Sequence, residues 1–137
     1  MNEIPDDAQQ LLAYLVDQIH AGRFAVGNYA SYVSYSEVLR EMRLDPGIRK
    51  TPGQALQEQG MEALAVWARA NGHPAITGLI VVRENNRPSD GYWTVNGLPC
   101  VDEPWWDDQI RQAFNYDWNQ YLTLDQANLP IDFGERI

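Results

Sequence analysis

Apolar residues recur with helical spacing near the start of the chain. The stripe comprises Leu11, Leu12, Leu15, Val16 and Ile19. Such spacing places side chains on one face of an α-helix. Pro5, Asp6 and Asp7 precede the stripe and Gly22 follows it, and these residue types favour a helix start and a helix end, respectively. The pattern predicts an N-terminal helix within residues 1–22.

Two further helices are predicted in the middle of the chain. Ser34 and Glu37 have the spacing of a capping box, in which each side chain binds the other residue's backbone N–H, so a helix is expected over residues 35–42. The turn residues Asp45, Pro46 and Gly47 end it. A proline suits the first turn of a helix, which predicts a second helix from Pro52 to residue 59. Helices joined by a short turn have the outline of a helix-turn-helix.

A break is expected at Gly60, followed by a helical piece over residues 61–70 that Asn71 and Gly72 close. The apolar run over residues 76–82 (ITGLIVV) has the length and composition of a buried strand.

A second strand is expected over residues 91–95 (GYWTV), which are aromatic and β-branched and precede the turn signal Asn96-Gly97. Together with residues 76–82 they predict a two-stranded wing. Residues 24–33 fit either a loop or a short strand.

The last predicted helix covers residues 102–128. Asp102, Glu103 and Pro104 favour its start, and apolar residues four positions apart follow. Residues 129–137 are expected to be a tail. The predicted fold is therefore α+β and mainly helical: a winged-helix-like helix-turn-helix (within residues 34–95) with a short β-hairpin and an additional C-terminal helix.

Length and composition favour one domain. The 137 residues are 45% hydrophobic, enough for a single core. No apolar run approaches the roughly 20 residues that span a bilayer, and the acidic N-terminus is unlike a secretory signal, so we expect a soluble cytoplasmic protein that does not associate with membranes. Cys100 is the only cysteine and there are two histidines; this composition disfavours a disulfide and a zinc site, and we expect no metal or cofactor.

The net charge of −9 is unevenly distributed. Residues 1–22 hold four acids and no base, residues 23–87 eight bases and six acids, and residues 88–137 two bases and nine acids. A basic middle is consistent with a surface that faces nucleic acid, although the field of the whole molecule repels a polyanion. Alternatively, the acids only keep the protein in solution.

Four segments fall in the order and approximate spacing of a known domain. They are residues 34–37 (SYSE), 49–56 (RKTPGQAL), 76–82 (ITGLIVV) and 91–92 (GY). Over about a third to a half of its length, the chain thus resembles the active domain of O6-alkylguanine-DNA alkyltransferases.

The resemblance implies a DNA-binding role for five residues. Tyr35 would lie near the phosphates of a flipped base, and Arg49 or Lys50 would take the place of an intercalating arginine. Arg40 and Arg43 would contact backbone phosphates from the same side. Alternatively, Tyr35 is an ordinary first-turn aromatic residue, and the four bases form a solvated face that neutralises the nearby acids Glu37, Glu41 and Asp45.

The same alignment removes the family's chemistry. It places Gly78 at the nucleophilic cysteine, Leu79 at its histidine partner and Ile80 at the arginine. None of these residues can supply a thiolate or lower its pKa, so alkyl transfer by this route is excluded and no catalytic residue is assigned. Alkyltransferase-like proteins that lack the cysteine still bind alkylated DNA, so DNA binding stays open.

Two other groups of residues suggest chemistry. Asp107 and Asp108 could be paired carboxylates beside a sugar-stacking platform, but neighbouring residues on a helix point about 100° apart, and first-turn acids also complement the helix dipole. His73 could act as a general base, although no serine or cysteine partner is near it in sequence; a turn histidine is the simpler interpretation.

The C-terminal region combines aromatic and acidic residues. Seven aromatic residues lie between positions 93 and 121, which is typical of a protein interface and, given the negative charge, of one for a basic partner. The predicted partner-binding residues are Trp93, Trp105, Trp106, Asp107, Asp108, Tyr116 and Trp118. Alternatively, the rings form a local hydrophobic cluster.

Three hypotheses follow. The first is a non-catalytic acidic interaction protein that binds, and inhibits, a basic protein partner, as immunity proteins and phage-encoded inhibitors do. The second is an alkyltransferase-like DNA-binding protein without transferase activity. The third is an enzyme whose site is assembled from residues distant in the sequence. Only His73 and scattered acidic residues support it, so we expect no enzymatic activity.

Overall fold

The computed structural model describes residues 4–122 of the chain. Their fold is α+β and mainly helical, as predicted. The helices are α1 (Asp6–His20), α2 (Tyr35–Met42), α3 (Pro52–Leu56), α4 (Glu62–Ala70), α5 (Asp90–Val95) and α6 (Glu103–Phe114), and the strands are β1 (Val33–Ser34) and β2 (Ile80–Val81). None of these helices is long and apolar enough to cross a membrane.

The two central helices begin where the sequence predicts. Ser34 and Glu37 form the capping box of α2. Thr51 and Gln54 form a second capping box at the start of α3, which follows the same rule because glutamine can replace glutamate in this motif.

Gly60 interrupts the helical path between α3 and α4, as predicted. A π-helical turn, Gln57–Met61, joins the two helices, and Gly60 within it has a φ of 130°. A Cβ atom here would lie 2.7 Å from the backbone oxygen of Asp7. The glycine therefore permits both the break and the close approach of α1.

The predicted wing is wrong. Strands β1 and β2 pair in parallel, with Val33 opposite Ile80 and Ser34 opposite Val81, whereas residues 91–95 belong to helix α5. Only the end of the apolar run 76–82 is a strand, because its first part forms the 3-10 turn Ile76–Leu79.

The reason is visible in the burial of α5. Tyr92 and Trp93 are both buried, whereas Gly91 and Thr94 are exposed; an alternating strand would bury only one of two neighbouring side chains. The turn after β2 also closes on itself, because Val82 and Arg87 form an isolated antiparallel bridge.

The C-terminal helix is shorter than predicted. The Asp102 side chain caps it by accepting from the backbone N–H of Trp105, but α6 ends at Phe114. The Trp118 indole then donates to the backbone oxygen of Ala113, which turns the chain back onto the helix. Residues 123–128 and the predicted tail, 129–137, lie outside the described residues.

A single hydrophobic core joins these elements. Helix α1 contributes Leu11, Leu12 and Leu15, which are fully buried, as are Ile80 of β2 and Trp106 of α6. The predicted apolar stripe of the first helix therefore packs as expected.

Candidate nucleic-acid interface

A cleft of about 480 Å³ lies where the starts of α2 and α3 meet the end of β2. Its walls include Tyr35, Thr51, Gly53, Val82, Arg83 and Ser89. The parallel pairing of β1 and β2 holds Ser34 opposite Val81, which positions α2, starting at the next residue, against the turn that follows β2.

Tyr35 lies in the wall of this cleft. Tyr35 is 6% exposed, and its hydroxyl donates to Ser89 Oγ at 2.8 Å. Burial raises the pKa of the phenol, so Tyr35 is a neutral hydrogen-bonding group. Sequence reasoning missed Ser89, because only the fold brings residues 54 positions apart together.

Gly78 has no space for a side chain. A Cβ atom at this position would lie 2.6 Å from the Tyr92 hydroxyl oxygen and 2.8 Å from Trp106 Nε1. Both groups are fixed, since the Tyr92 hydroxyl donates to the Ala75 oxygen at 2.9 Å and the Trp106 indole N–H to the Gly78 oxygen at 3.0 Å. Where the alkyltransferase resemblance places a reactive cysteine, this chain has packed aromatic rings.

The acids of α2 are paired with bases from other elements. Glu41 accepts two hydrogen bonds from Arg23, at 2.5 and 3.0 Å, and Arg83 lies 2.8 Å from Glu37. The pKa of Glu41 is lowered mainly by Arg23, and that of Glu37 mainly by the backbone N–H of Ser34, with help from Arg83. The alternative that Arg40, Arg43, Arg49 and Lys50 neutralise the nearby acids is therefore wrong for Glu37 and Glu41. Asp45, the third of those acids, enters no ion pair within residues 4–122 and accepts from the Gly47 N–H instead.

Three bases consequently keep their charge unmatched. Arg40, Arg43 and Arg49 are exposed and enter none of the ion pairs formed within residues 4–122. Lys50, the fourth, pairs with Glu58.

The turn between α2 and α3 is fixed to the rest of the fold. The Asp45 side chain accepts from the Gly47 N–H at 2.8 Å, and the Gln59 side chain donates to the Asp45 backbone oxygen at 2.5 Å. Arg49 has a left-handed φ of 63°, which is uncommon for a residue other than glycine.

Ile48 is presented to solvent by this turn. It is 88% exposed, although isoleucine is usually buried. Sequence reasoning missed it; the signal available was a lone apolar residue in a polar turn, next to arginine.

The predicted partner-binding residues mostly belong to the core. Trp93 and Trp118 are 3% exposed and Trp106 is fully buried, while Trp105 and Tyr116 are partly buried. The expectation of an aromatic surface is corrected: the rings are packed because they fill the space between α5, α6 and the chain that returns after α6.

The two acids among these residues point to different partners. Asp107 accepts from the Tyr29 hydroxyl at 2.9 Å; burial and this carboxylate raise the pKa of Tyr29 to about 12. Asp108 is exposed and accepts from the Gln112 side chain at 2.7 Å. They do not form a carboxylate pair.

His73 is held by aromatic residues. Its Nδ1 lies 2.6 Å from the Tyr116 hydroxyl, and its ring centroid lies 4.4 Å from that of Trp67 and 4.8 Å from that of Tyr121. Burial lowers its pKa. The neighbours are those of a packed histidine, since no serine or cysteine is bonded to it among the described residues.

No metal site is formed within residues 4–122. In this range, no three His, Cys, Asp or Glu side chains are grouped so as to hold a metal ion.

Comparison of the chain with protein-family models, curated proteins and solved structures gave no match.

Proposed function

We propose that this protein is a non-catalytic DNA-binding protein of alkyltransferase-like design, which contacts duplex DNA through α2, the turn of residues 43–51 and the adjoining cleft. The observation that carries the proposal is the set of unpaired bases on α2 and this turn. Arg40, Arg43 and Arg49 are exposed and have no acidic partner among residues 4–122, while Glu37 and Glu41 pair with Arg83 and Arg23.

Each part of this surface has a matching role on DNA. Unpaired arginines bind phosphates, and the counterions thereby released make the affinity depend on salt. Ile48 is suited to insert between base steps, as apolar residues on DNA-binding surfaces do. Helices α2 and α3 act as a helix-turn-helix, and α2 packs against the parallel β1–β2 pair.

The proposed role is binding alone. The buried Gly78 offers no nucleophile, and Leu79 and Ile80, its neighbours, are fully buried as well. The Tyr35 hydroxyl and Ser89 give the cleft neutral polar groups, which can position a base or sugar without reacting with it.

A basic protein partner for the C-terminal aromatic region stays a prediction. The burial of Trp93, Trp106 and Trp118 takes away the exposed rings that motivated it, so this region supports the hypothesis less than the α2 surface supports DNA binding.

The test is a fluorescence anisotropy titration of a labelled duplex across salt concentrations. Wild-type protein should bind saturably at low salt. The logarithm of its association constant should fall linearly with the logarithm of the salt concentration. The double variant Arg43→Ala, Arg49→Ala should flatten the slope by about 2, because each phosphate contact contributes about 0.9.

The matched control is Arg69→Ala, Arg111→Ala, which changes the net charge equally on α4 and α6. It should leave the slope almost unchanged. Absence of saturable binding at low salt, or equal effects of the two double variants, contradicts the proposal. A second duplex that contains O6-methylguanine tests whether the cleft prefers an alkylated base.

A further inference from the structure

A second surface lies on helix α4 and the π-helical turn that precedes it. Gln57, Glu62 and Val66 line two grooves at once, one of about 390 Å³ and one of about 570 Å³. Val66 is 49% exposed although apolar. These three residues thus form a ridge between two grooves; we call the whole the α4 surface.

Both grooves have apolar floors. The first is completed by Met61, Ala65 and Val95, and the second by Pro5, Ala63 and Trp67, among others. Each is large enough for one or two apolar side chains.

The charged residues known to line the α4 surface are acidic. Asp7, Glu58 and Glu62 line the grooves, and no lysine or arginine from residues 4–122 lines either of them. Lys50 pairs with Glu58, which leaves Asp7 and Glu62 without an ion pair inside residues 4–122. An occupant of the grooves must therefore be apolar where it meets Val66 and positive where it meets these two acids.

We propose that the α4 surface docks a basic amphipathic helix of a partner protein. Such a helix presents apolar anchors three, four and seven positions apart, which can straddle the Val66 ridge and enter the two grooves, while lysines or arginines beside them face Asp7 and Glu62. Two other occupants are disfavoured by charge. A second copy of this chain carries a net charge of −9, and residues 123–137 hold three acids and one base.

The α4 surface adjoins the proposed DNA interface at the Lys50–Glu58 ion pair, but Val66 and the two unpaired acids lie outside that interface. It gives an acidic interaction protein a site that the sequence did not reveal. Exposed Val66 is one residue in a helical pattern, and the neighbouring grooves arise only when α1, α4 and α5 pack together.

The test is binding of a defined probe, a fluorescein-labelled peptide of leucine and lysine with leucines at helical spacing, measured by anisotropy. A scrambled peptide of the same composition is the first control. The full-length protein should bind the helical peptide about tenfold more tightly than the scrambled one, a difference of about 1.4 kcal/mol.

Charge-matched variants locate the site. Glu62→Lys and Asp108→Lys change the net charge equally, one on the α4 surface and one on α6. Glu62→Lys should lower the affinity for the helical peptide about tenfold, and Val66→Asp should lower it to the same extent. Asp108→Lys should change this affinity about twofold or less. Unchanged thermal unfolding of each variant shows that the fold is intact.

Three results overturn the proposal. Equal binding of the two peptides would reduce the effect to net charge, and so would an equal effect of Asp108→Lys and Glu62→Lys. A concentration-dependent dimer in sedimentation velocity that Val66→Asp abolishes would assign the surface to a second copy. None of these results bears on the duplex titration, so the two proposals fail separately.

Discussion

Gly78 is buried against Tyr92 and Trp106, and those side chains are each fixed by a hydrogen bond to the 75–78 backbone. A cysteine at this position would displace packed rings. On α2, by contrast, Glu37 and Glu41 pair with Arg83 and Arg23 from other parts of the chain. Arg40, and Arg43 just after the helix, are therefore left without an ion pair within residues 4–122.

Gly78→Ala should destabilise the fold. The added Cβ would lie under 3 Å from Tyr92 and Trp106, and overpacking of this kind costs about 1–3 kcal/mol. Urea unfolding measures the loss. Gly91→Ala is the control, because nothing lies within 4 Å of a Cβ there and alanine is favoured over glycine in a helix by about 0.5–1 kcal/mol. Equal stability of the two variants would contradict the packing described around Gly78.

At the scale of elements, local signals predicted some features well and others poorly. The starts of α2, α3 and α6 follow from caps and prolines that act within four residues, and such signals can be read directly from a sequence. The parallel pairing of Val33 with Ile80 links residues 47 positions apart, and no local pattern contains it.

The errors have the same origin. Residues 91–95 have strand-like composition, but packing of Tyr92 and Trp93 into the core selects a helix, so tertiary contacts override propensity. For the site, the sequence supplied Tyr35 and the bases but not Ser89 or Ile48, since their roles depend on which side chains the fold buries or exposes.

Thr51→Ala should weaken the start of α3 and with it the cleft. The Thr51 hydroxyl accepts from the Gln54 N–H at 3.1 Å, and loss of such a cap costs about 1 kcal/mol. Thr94→Ala, at an exposed position within α5, should cost little, because it does not cap a helix. Thermal unfolding compares the two, and hydrogen exchange of the residue 54–56 amides should rise in Thr51→Ala alone. A uniform change across the chain would contradict the local role.

At the scale of the whole molecule, the charge is divided between surfaces. The chain carries −9, yet Arg40, Arg43 and Arg49 enter no ion pair within residues 4–122. Among the charged residues in that range, only acids line the grooves beside α4. Net repulsion from a polyanion lowers the rate and strength of encounter with DNA. The contacts themselves are arginine–phosphate pairs that release counterions, so the proposed complex should nevertheless form at low salt and weaken as salt rises. The same negative field favours approach of a basic protein to the α4 surface.

The most direct measurement of the central claim is a residue-by-residue NMR titration of ¹⁵N-labelled protein with a short duplex at low salt. If DNA binds as proposed, amide shifts should concentrate in residues 34–36, 40–53 and 82–89, which form α2, its turn and the cleft, and residues 103–114 of α6 should stay unchanged. No saturable shifts, or shifts confined to α4 and α6, would contradict the account.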